Sequence, residues 1–516
     1  MNVKDLRVGD FYVYSERGIC EYAREDYINE DLYYLFYFKN KRKCYARAID
    51  IENKFYFYAS NDKKVTLSCF DNKKSWQKKK SVAMLKIKEQ SQELLEIYKK
   101  RSLMKGFKFS PDGLLQQQFE KDISFTPSDG QLRCVQEIKE DMESDKVMDR
   151  ILCGDVGFGK TEVAMRVVFK AVQDKKQVVI VTPSKILSHQ HFQDFTERFK
   201  NYNVNIALLD SKRNKKRTEL LQNIKEGRID VIIGTQNVLS DSVQYKDIGL
   251  MITDEEHKLG ISIKEKIKKI NTNIDVLSMT ATPIPRTLNL ASNLHIRDIS
   301  IIDTPPHNKI PAITQSMQWN GEKIKDIINR ELSRNGGVFV VNNNILELYQ
   351  LKEELLRLIP DLKIAIIHGK MKNIEIENTM IDILQHKYNL VLATSIIEVG
   401  ITVKFINTIV ICNAQNLGLA QIHQLRGRIN RGNDNKKGYC ILTYPKGVTL
   451  DEVAQKRLKI ICENSELNSG LNIAREDLAI RGAGEIVGLR QSGYMVNSIG
   501  LDFYMDLLNK QLKEIS

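Results

Sequence analysis

Along residues 8–67 aromatic and polar positions alternate, as in "DLYYLFYFKN" and "KCYARAIDIENKFYFYAS", with Gly and Asn-Asp interruptions between the runs. A period of two turns one face of each strand to a core, so this region predicts short antiparallel strands forming a small β-barrel or sheet. The pattern then changes. From residue 73 to 105, Val82, Leu85, Ile87, Leu94, Leu95 and Ile97 fall at helical spacing among many lysines, which predicts a basic amphipathic helix joining two domains. A solvated linker and a direct nucleic-acid contact are equally compatible with that helix. From about residue 122, apolar runs of strand length alternate with longer helical stretches: "QVVIVTP", "IDVIIGT", "GLMITDEEH" and "DVLSMTAT". Such alternation predicts βαβ units on a parallel sheet covered on both faces. A second series, "GVFVVNNN", "LKIAIIHG", "NLVLATS" and "TIVICNA", follows the Pro-containing "TPPHNKIPAIT". Two consecutive α/β lobes are therefore expected.

Composition narrows this picture without deciding it. The 516 residues leave room for three or four domains, and 42% hydrophobic with 28% charged is ordinary for a soluble protein. A net charge of +13 favours a polyanionic partner such as nucleic acid, although a general lysine bias would give the same number. The eight cysteines (Cys20, Cys44, Cys69, Cys134, Cys153, Cys412, Cys440, Cys462) include no C-x-x-C pair, so buried thiols in a reducing compartment are expected rather than a zinc site. No signal peptide and no apolar run of about 18 residues is present, so no membrane contact and a cytoplasmic location are expected.

The chemistry starts in "RILCGDVGFGKTEVAM". Gly154, Asp155, Val156, Gly157, Phe158, Gly159, Lys160 and Thr161 fit the G-x-x-x-x-G-K-[ST] pattern, with a strand entering the loop and a helix leaving it. Backbone N–H groups of residues 157–160 would face ATP phosphates at a helix N-terminus, with Lys160 neutralising the β and γ phosphates and Thr161 on Mg²⁺. About ninety residues later an apolar strand ends in Asp254, Glu255, Glu256 and His257. Asp254 suits the metal's water shell and Glu255 the activation of the attacking water.

With "TAT" (Thr280 to Thr282) and "QLRGRINRG", the set resembles the superfamily-two helicases and translocases, whose Q-x-x-G-R-x-G-R pattern matches Gln424, Arg428 and Arg431. Two arginines three apart on a helical turn would reach across the cleft to the γ-phosphate together. The resemblance also implies adenine reading by Gln131 and a nucleotide contact at Gly400. It implies nucleic-acid backbone contacts from Pro183 and Ser184, from Gly234 and Thr235, and coupling through Thr280 and Thr282. Three positions depart from the pattern: Thr402 and Lys404 replace Asp and Pro, and Asn430 replaces Gly. Asn is the non-Gly residue that best tolerates a left-handed backbone, so the turn can survive at Asn430.

Residues 470–493, "GLNIAREDLAIRGAGEIVGLRQSG", resemble the helical-hairpin translocation motif of the RecG and transcription-repair coupling factor families, with Arg481 and Gln491 as its coupling residues. The opening "LRVGDFYVYSERGICEY" resembles the CarD-like (Tudor-like) RNA-polymerase-interaction domain of the second family, and "SWQKKKSVAMLKIKEQSQELLEIYKKRSLMKGFKF" resembles its relay helix. The implied plan is multidomain: 1–70 polymerase-interaction β-barrel, 71–118 relay helix and linker, 119–305 and 306–447 two RecA-like lobes, 448–516 hairpin and C-terminal helix. The implied protein is a monomeric, ATP- and Mg²⁺-dependent double-stranded DNA translocase that displaces stalled RNA polymerase by binding its β subunit. An edge strand such as 35–38 would make that contact by joining a polymerase sheet. No counterpart of the module that recruits the excision-repair protein UvrA, or of the restraining C-terminal domain, is found, so a truncated family member without a UvrA contact is expected. The alternatives are a RecG-like fork-remodelling enzyme and a non-enzymatic polymerase-binding regulator on a decayed motor.

Overall fold

The alternating aromatics of the first sixty residues form an antiparallel sheet. In the computed structural model, β1 (Phe11–Tyr14), β2 (Gly18–Ile28), β3 (Asp31–Phe38), β4 (Arg42–Ala46) and β5 (Phe55–Ala59) pair in the order β4-β3-β2-β1-β5. The structure describes residues 3, 6–59, 65–102, 105–123, 125–209, 215–256, 259, 273–281, 297–306, 309–398, 403–430, 437–467 and 469–470, and short pieces (472–473, 476–477, 499–500, 503–504, 506–507, 510–511) beyond them. Tyr12, Tyr22, Phe36 and Phe55 bury against one another, with Phe36 stacked on Phe55 at 4.4 Å and edge-on to Tyr12 at 6.0 Å. Offset and edge-on rings of this kind satisfy the aromatic quadrupoles while removing large apolar areas from water.

The sheet corrects one expectation. Residues 35–38 are not an edge: β3 pairs with β2 on one side and β4 on the other. Leu35, Phe36 and Phe38 are all buried, which is how an apolar run behaves at the centre of a sheet. The outermost strands are β4 and β5.

After the short helix α1 (Ala48–Lys54), the predicted basic helix is α2 (Lys73–Ser102). Its buried face is Trp76, Ala83 and Ile87, whereas Val82 and Leu85 are exposed. The Trp76 indole N–H donates to the Ser15 carbonyl at 3.1 Å, and its ring stacks on Phe503 from the C-terminal stretch at 6.2 Å. The Tyr56 hydroxyl donates to Asp506 at 2.9 Å, so both ends of the chain belong to one unit, residues 1–100 with 475–516.

Residues 101–474 form the second unit, which holds two parallel sheets. The first is β6 (Asp149–Gly154), β7 (Gln177–Val181), β8 (Ile206–Leu209), β9 (Val231–Gly234), β10 (Ile248–Asp254), β11 (Asp275–Thr280) and β12 (Asp298–Ile302), ordered β12-β6-β11-β10-β7-β9-β8. The second is β13 (Ile313–Gln318), β14 (Gly337–Val341), β15 (Ile364–Ile367), β16 (Leu390–Ala393), β17 (Ile406–Ile411) and β18 (Tyr439–Tyr444), ordered β13-β18-β17-β14-β16-β15. These are RecA-like lobes, and each apolar run named in the sequence lies on one of their strands. Strand interiors such as Val178–Val181 and Val338–Val341 are fully buried because helices cover both faces.

Residues 109–121 pack into the first lobe. Phe119 of α3 (Leu114–Lys121) stacks on Phe169 of α5 (Lys160–Gln173) at 4.2 Å, within 7° of parallel. Asp112 receives Lys139 of α4 (Asp129–Met142) at 2.5 Å and Lys170 of α5 at 2.9 Å, and Lys170 also reaches Glu143 at 2.6 Å. Lysines this buried are tolerated only because each is paired. Phe119→Ala is expected to destabilise this lobe by about 3–5 kcal/mol, the usual cost of emptying a buried Phe site. The urea midpoint of the full chain's first unfolding transition measures it.

Candidate functional site

The phosphate loop leaves β6 near one side of the first sheet and enters α5 at Lys160. Gly157 and Gly159 have φ of 75° and 78°, left-handed values that cost a residue with a Cβ about 1–2 kcal/mol. The resulting cradle of backbone amides at a helix N-terminus fits a phosphate chain. Lys160 Nζ donates to the carbonyls of Gly154 at 2.7 Å and Asp155 at 3.1 Å, and Thr161 is the second residue of α5.

Gln131 lies against this loop rather than at a distance from it. Its Oε1 accepts the Ser128 N–H at 3.0 Å, completing a capping box on α4, and its Nε2 donates to the Phe158 carbonyl at 2.8 Å. A Cβ on Gly159 would run into that amide. The side chain is thus committed to shaping the loop, a role its sequence position alone does not reveal.

The carboxylates follow from β10, which ends at Asp254 beside β7 and β11. Burial works to raise the Asp254 pKa, but His191 Nε2 at 2.8 Å, with Lys160 and Arg428 nearby, holds it below the ordinary carboxylate value. Glu255 has φ 51°, a left-handed backbone that costs a non-Gly residue about 1–2 kcal/mol and turns its side chain back over the sheet. There its Oε2 accepts the Ala281 N–H at 3.5 Å. Arg297 ties the corner together, donating to Glu256 at 2.9 Å, Asp149 at 2.8 Å and Ser278 at 2.6 Å.

The second lobe supplies Arg428. Burial lowers its pKa, opposed by the nearby Glu255 and Asp254 carboxylates, and its NH2 donates to the Glu398 carbonyl at 2.7 Å. Its Nε is buried with no hydrogen-bond partner among the described residues. A cation desolvated beside two carboxylates, with a donor to spare, is suited to an incoming phosphate oxygen.

The expectation that Arg428 sits on a helical turn is corrected. The helix Leu419–Arg426, which carries buried Gln424, is capped at Gly427, and Arg428 follows in a turn. Asn430 has φ 57°, the left-handed value expected of the residue replacing Gly, and its amide donates to the Ile310 carbonyl at 2.7 Å. Lys404 is a turn residue just before β17 (Ile406–Ile411). His257, Thr282, Gly400, Thr402, Arg431, Arg481 and Gln491 lie outside the described residues.

The loops read as nucleic-acid contacts stand on neighbouring strands. Pro183 and Ser184 follow β7, Gly234 ends β9 and Thr235 follows it, with the Thr182 N–H donating to the Gly234 carbonyl at 2.9 Å. The Ser184 hydroxyl accepts the Leu187 N–H at 3.3 Å and so caps α6 (Lys185–Phe199). Thr280 ends β11.

Sequence reasoning missed several side chains here. His191, inside "SHQHF" on α6, reaches Asp254; His423, immediately before Gln424, reaches Asp155. Only the immediate neighbourhood of a motif could have flagged His423, and His191 carries no local signal, because its partner is 63 residues away.

Comparison with known proteins agrees with this geometry. The description "DEAD/DEAH box helicase" matches residues 128–291 and "Helicase conserved C-terminal domain" matches residues 320–433. The chain is 39% identical to the transcription-repair-coupling factor of Bacillus subtilis over 99% of its own length and 43% of that protein. It is 45% identical to that of Borreliella burgdorferi over 89% of itself and 40% of the relative. It thus spans less than half the length of these curated relatives. Among solved structures, RecG bound to a three-way DNA junction superposes with a TM-score of 0.66 at 30% identity, covering 84% of this chain and 57% of that one.

Gly159→Ala is expected to weaken binding of a non-hydrolysable ATP analogue at least tenfold, because the new Cβ meets the Gln131 amide on a backbone that disfavours it. Calorimetric titration, alongside an unchanged circular dichroism spectrum, checks this.

Proposed function

We propose, on the premise that the chain is a superfamily-two helicase homologous along nearly its whole length to the transcription-repair coupling factors, that it couples ATP hydrolysis to movement along double-stranded DNA and acts on stalled RNA polymerase. The observation that carries the reading is the meeting of Lys160, Asp254 and Glu255 from one lobe with Arg428 from the other.

In this reading the loop amides and Lys160 would bind and orient the triphosphate, and Asp254 and Thr161 would hold Mg²⁺. When bound, that ion neutralises charge on the phosphate oxygens. Glu255 orients the attacking water and accepts its proton, and Arg428, reaching in from the second lobe, stabilises charge that develops on the phosphoryl group. Gln131 fixes the loop that does the binding, and its proposed reading of adenine rests on that proximity. Arg431 is proposed as the second arginine.

The Pro183–Ser184 and Gly234–Thr235 loops would track a DNA backbone without reading sequence, supported by the net charge of +13. The N-terminal antiparallel sheet, proposed to be a CarD-like domain, would contact the polymerase β subunit. Its outer strands β4 and β5 are the candidates for adding to a partner sheet. Among the described residues no helix is long and apolar enough to cross a membrane, which suits a cytoplasmic protein. A RecG-like activity is the second reading, favoured by the structural match to RecG on a DNA junction. Stronger ATPase stimulation by branched DNA than by linear duplex would select it.

Lys160→Ala, Glu255→Gln and Arg428→Ala should each leave less than about a tenth of the parent DNA-stimulated ATPase, as losses of transition-state charge stabilisation do. Steady-state assays on purified chains test this, and release of a stalled polymerase in the presence of ATP tests the coupling. DNA affinity should fall steeply between about 50 and 200 mM salt, regardless of sequence, as phosphate-dominated binding requires. Equal affinities at the two salt concentrations would contradict backbone recognition.

A further inference from the structure

Asp155 occupies the second position of the phosphate loop, where the G-x-x-x-x-G-K-[ST] pattern specifies no residue and phosphate binding needs only backbone. Its carboxylate is nonetheless only 8% exposed and fully engaged. Oδ1 lies 2.5 Å from His423 Nε2 of the second lobe and accepts the Val156 N–H at 2.6 Å. Oδ2 accepts the N–H of Gly470, the first residue of the stretch that follows the lobe, at 3.3 Å.

Further observations point the same way. Arg426 NH2 lies 3.0 Å from His423 Nδ1, donates to Ser469 Oγ at 3.0 Å, and its NH1 donates to the Ile461 carbonyl at 3.1 Å. Arginine offers donors only, so Nδ1 must present its lone pair and Nε2 must carry the hydrogen, aimed at Asp155. Gly427 then lets the lobes approach: a Cβ there would stand 2.5 Å from the Val156 Cβ. Lys309, in the connection between the lobes, donates to the Val156 carbonyl. Residues 155 and 156 are thus held by groups from beyond the first lobe as well as by their own loop.

We propose that Asp155 and His423 form a latch through which the tip of the phosphate loop senses closure of the second lobe, with Arg426 fixing the imidazole and Gly470 passing the same signal to the chain beyond. His423 is a positioning residue: it touches no phosphate but sets Arg428, five residues along, opposite Asp254 and Glu255. Its consequence for turnover rests on the ATPase reading above.

The test is a double-mutant cycle of Asp155→Ala and His423→Ala in the full chain, read two ways. Fluorescent unnatural amino acids at exposed Leu115 in the first lobe and Leu346 in the second report lobe separation without nucleotide. Each single variant should broaden that distance towards longer values, and the double variant should be no worse than either single, because both remove one interaction. In ATPase assays His423→Ala should lower DNA-stimulated kcat about tenfold with KM for ATP within about threefold, the pattern of a lost transition-state arrangement rather than lost ground-state binding. His423→Gln, whose amide N–H reaches as far as Nε2, should restore most of both readouts, which a simple packing role would not predict. Unchanged distances in both single variants, additive effects in the cycle, or failure of His423→Gln to rescue would overturn the latch. If the parent chain shows no ATPase at all, the proposed function fails while the distance measurements still decide the latch.

Discussion

A parallel sheet presents its strand ends, and hence its chemistry, along one edge. Helices must cover both faces to bury strands such as β7 and β14, so the loops at the carboxyl ends are the places left for a site. Here that edge carries the phosphate loop after β6, the Pro183 loop after β7, and Gly234, Asp254 and Thr280 at the ends of β9, β10 and β11. The neighbouring order β6-β11-β10-β7-β9 puts the nucleotide-binding and nucleic-acid candidates a few strand spacings of about 4.8 Å apart. The phosphate loop and the carboxylates come from one lobe, and the buried Arg428 guanidinium beside those carboxylates comes from the other.

Bringing the lobes together has an electrostatic cost. Arg428 and the Asp254 and Glu255 carboxylates all become buried, and desolvating a charge costs several kcal/mol unless partners replace the water. The carboxylates and the Glu398 carbonyl replace part of it for Arg428, while its Nε has no hydrogen-bond partner among the described residues. Asp155 is better supplied: burial would push its carboxyl up, yet His423, Lys309 and the Val156 N–H together hold it well below the ordinary range. Among the described residues, hydrogen bonding is therefore complete at Asp155 while Arg428 keeps a spare donor, which suits an anionic partner.

Much of this was readable in the sequence where the physics is local. Continuous apolar runs located the parallel strands, the glycines at positions needing left-handed backbone located the phosphate loop, and Asn430 adopts the left-handed conformation that Asn tolerates best among non-Gly residues. Local patterns failed where burial is decided by distant partners. Val82 and Leu85 have the periodicity of a buried stripe, yet α2 buries Trp76, Ala83 and Ile87, because the surface it meets includes Ser15 and Phe503. Residues 35–38 read as an exposed aromatic edge but are central, since β4, formed only four residues later, covers them. Asp155 and His423 are 268 residues apart, and nothing near either residue announces the other.

The segment before the first lobe extends the same reasoning from chemistry to mechanics. Gln116 donates to the Arg166 carbonyl at 3.0 Å, Phe119 stacks on Phe169, and Asp112 holds Lys170, so residues 110–121 are bound at three places to α5. That helix begins at Lys160, inside the phosphate loop. Asp112 also holds Lys139 of α4, whose first turn carries Gln131 and through it the Phe158 carbonyl. Any displacement of this segment must carry α4 and α5 with it or break a buried ion pair, at about 3–5 kcal/mol for each partner left unpaired. Moving the helices as one body is the cheaper course; α5 begins in the loop that would bind the nucleotide, and α4 touches it through Gln131. Among the described residues, packing and an ion pair thus connect residues 110–121 directly to the helix that starts in the phosphate loop.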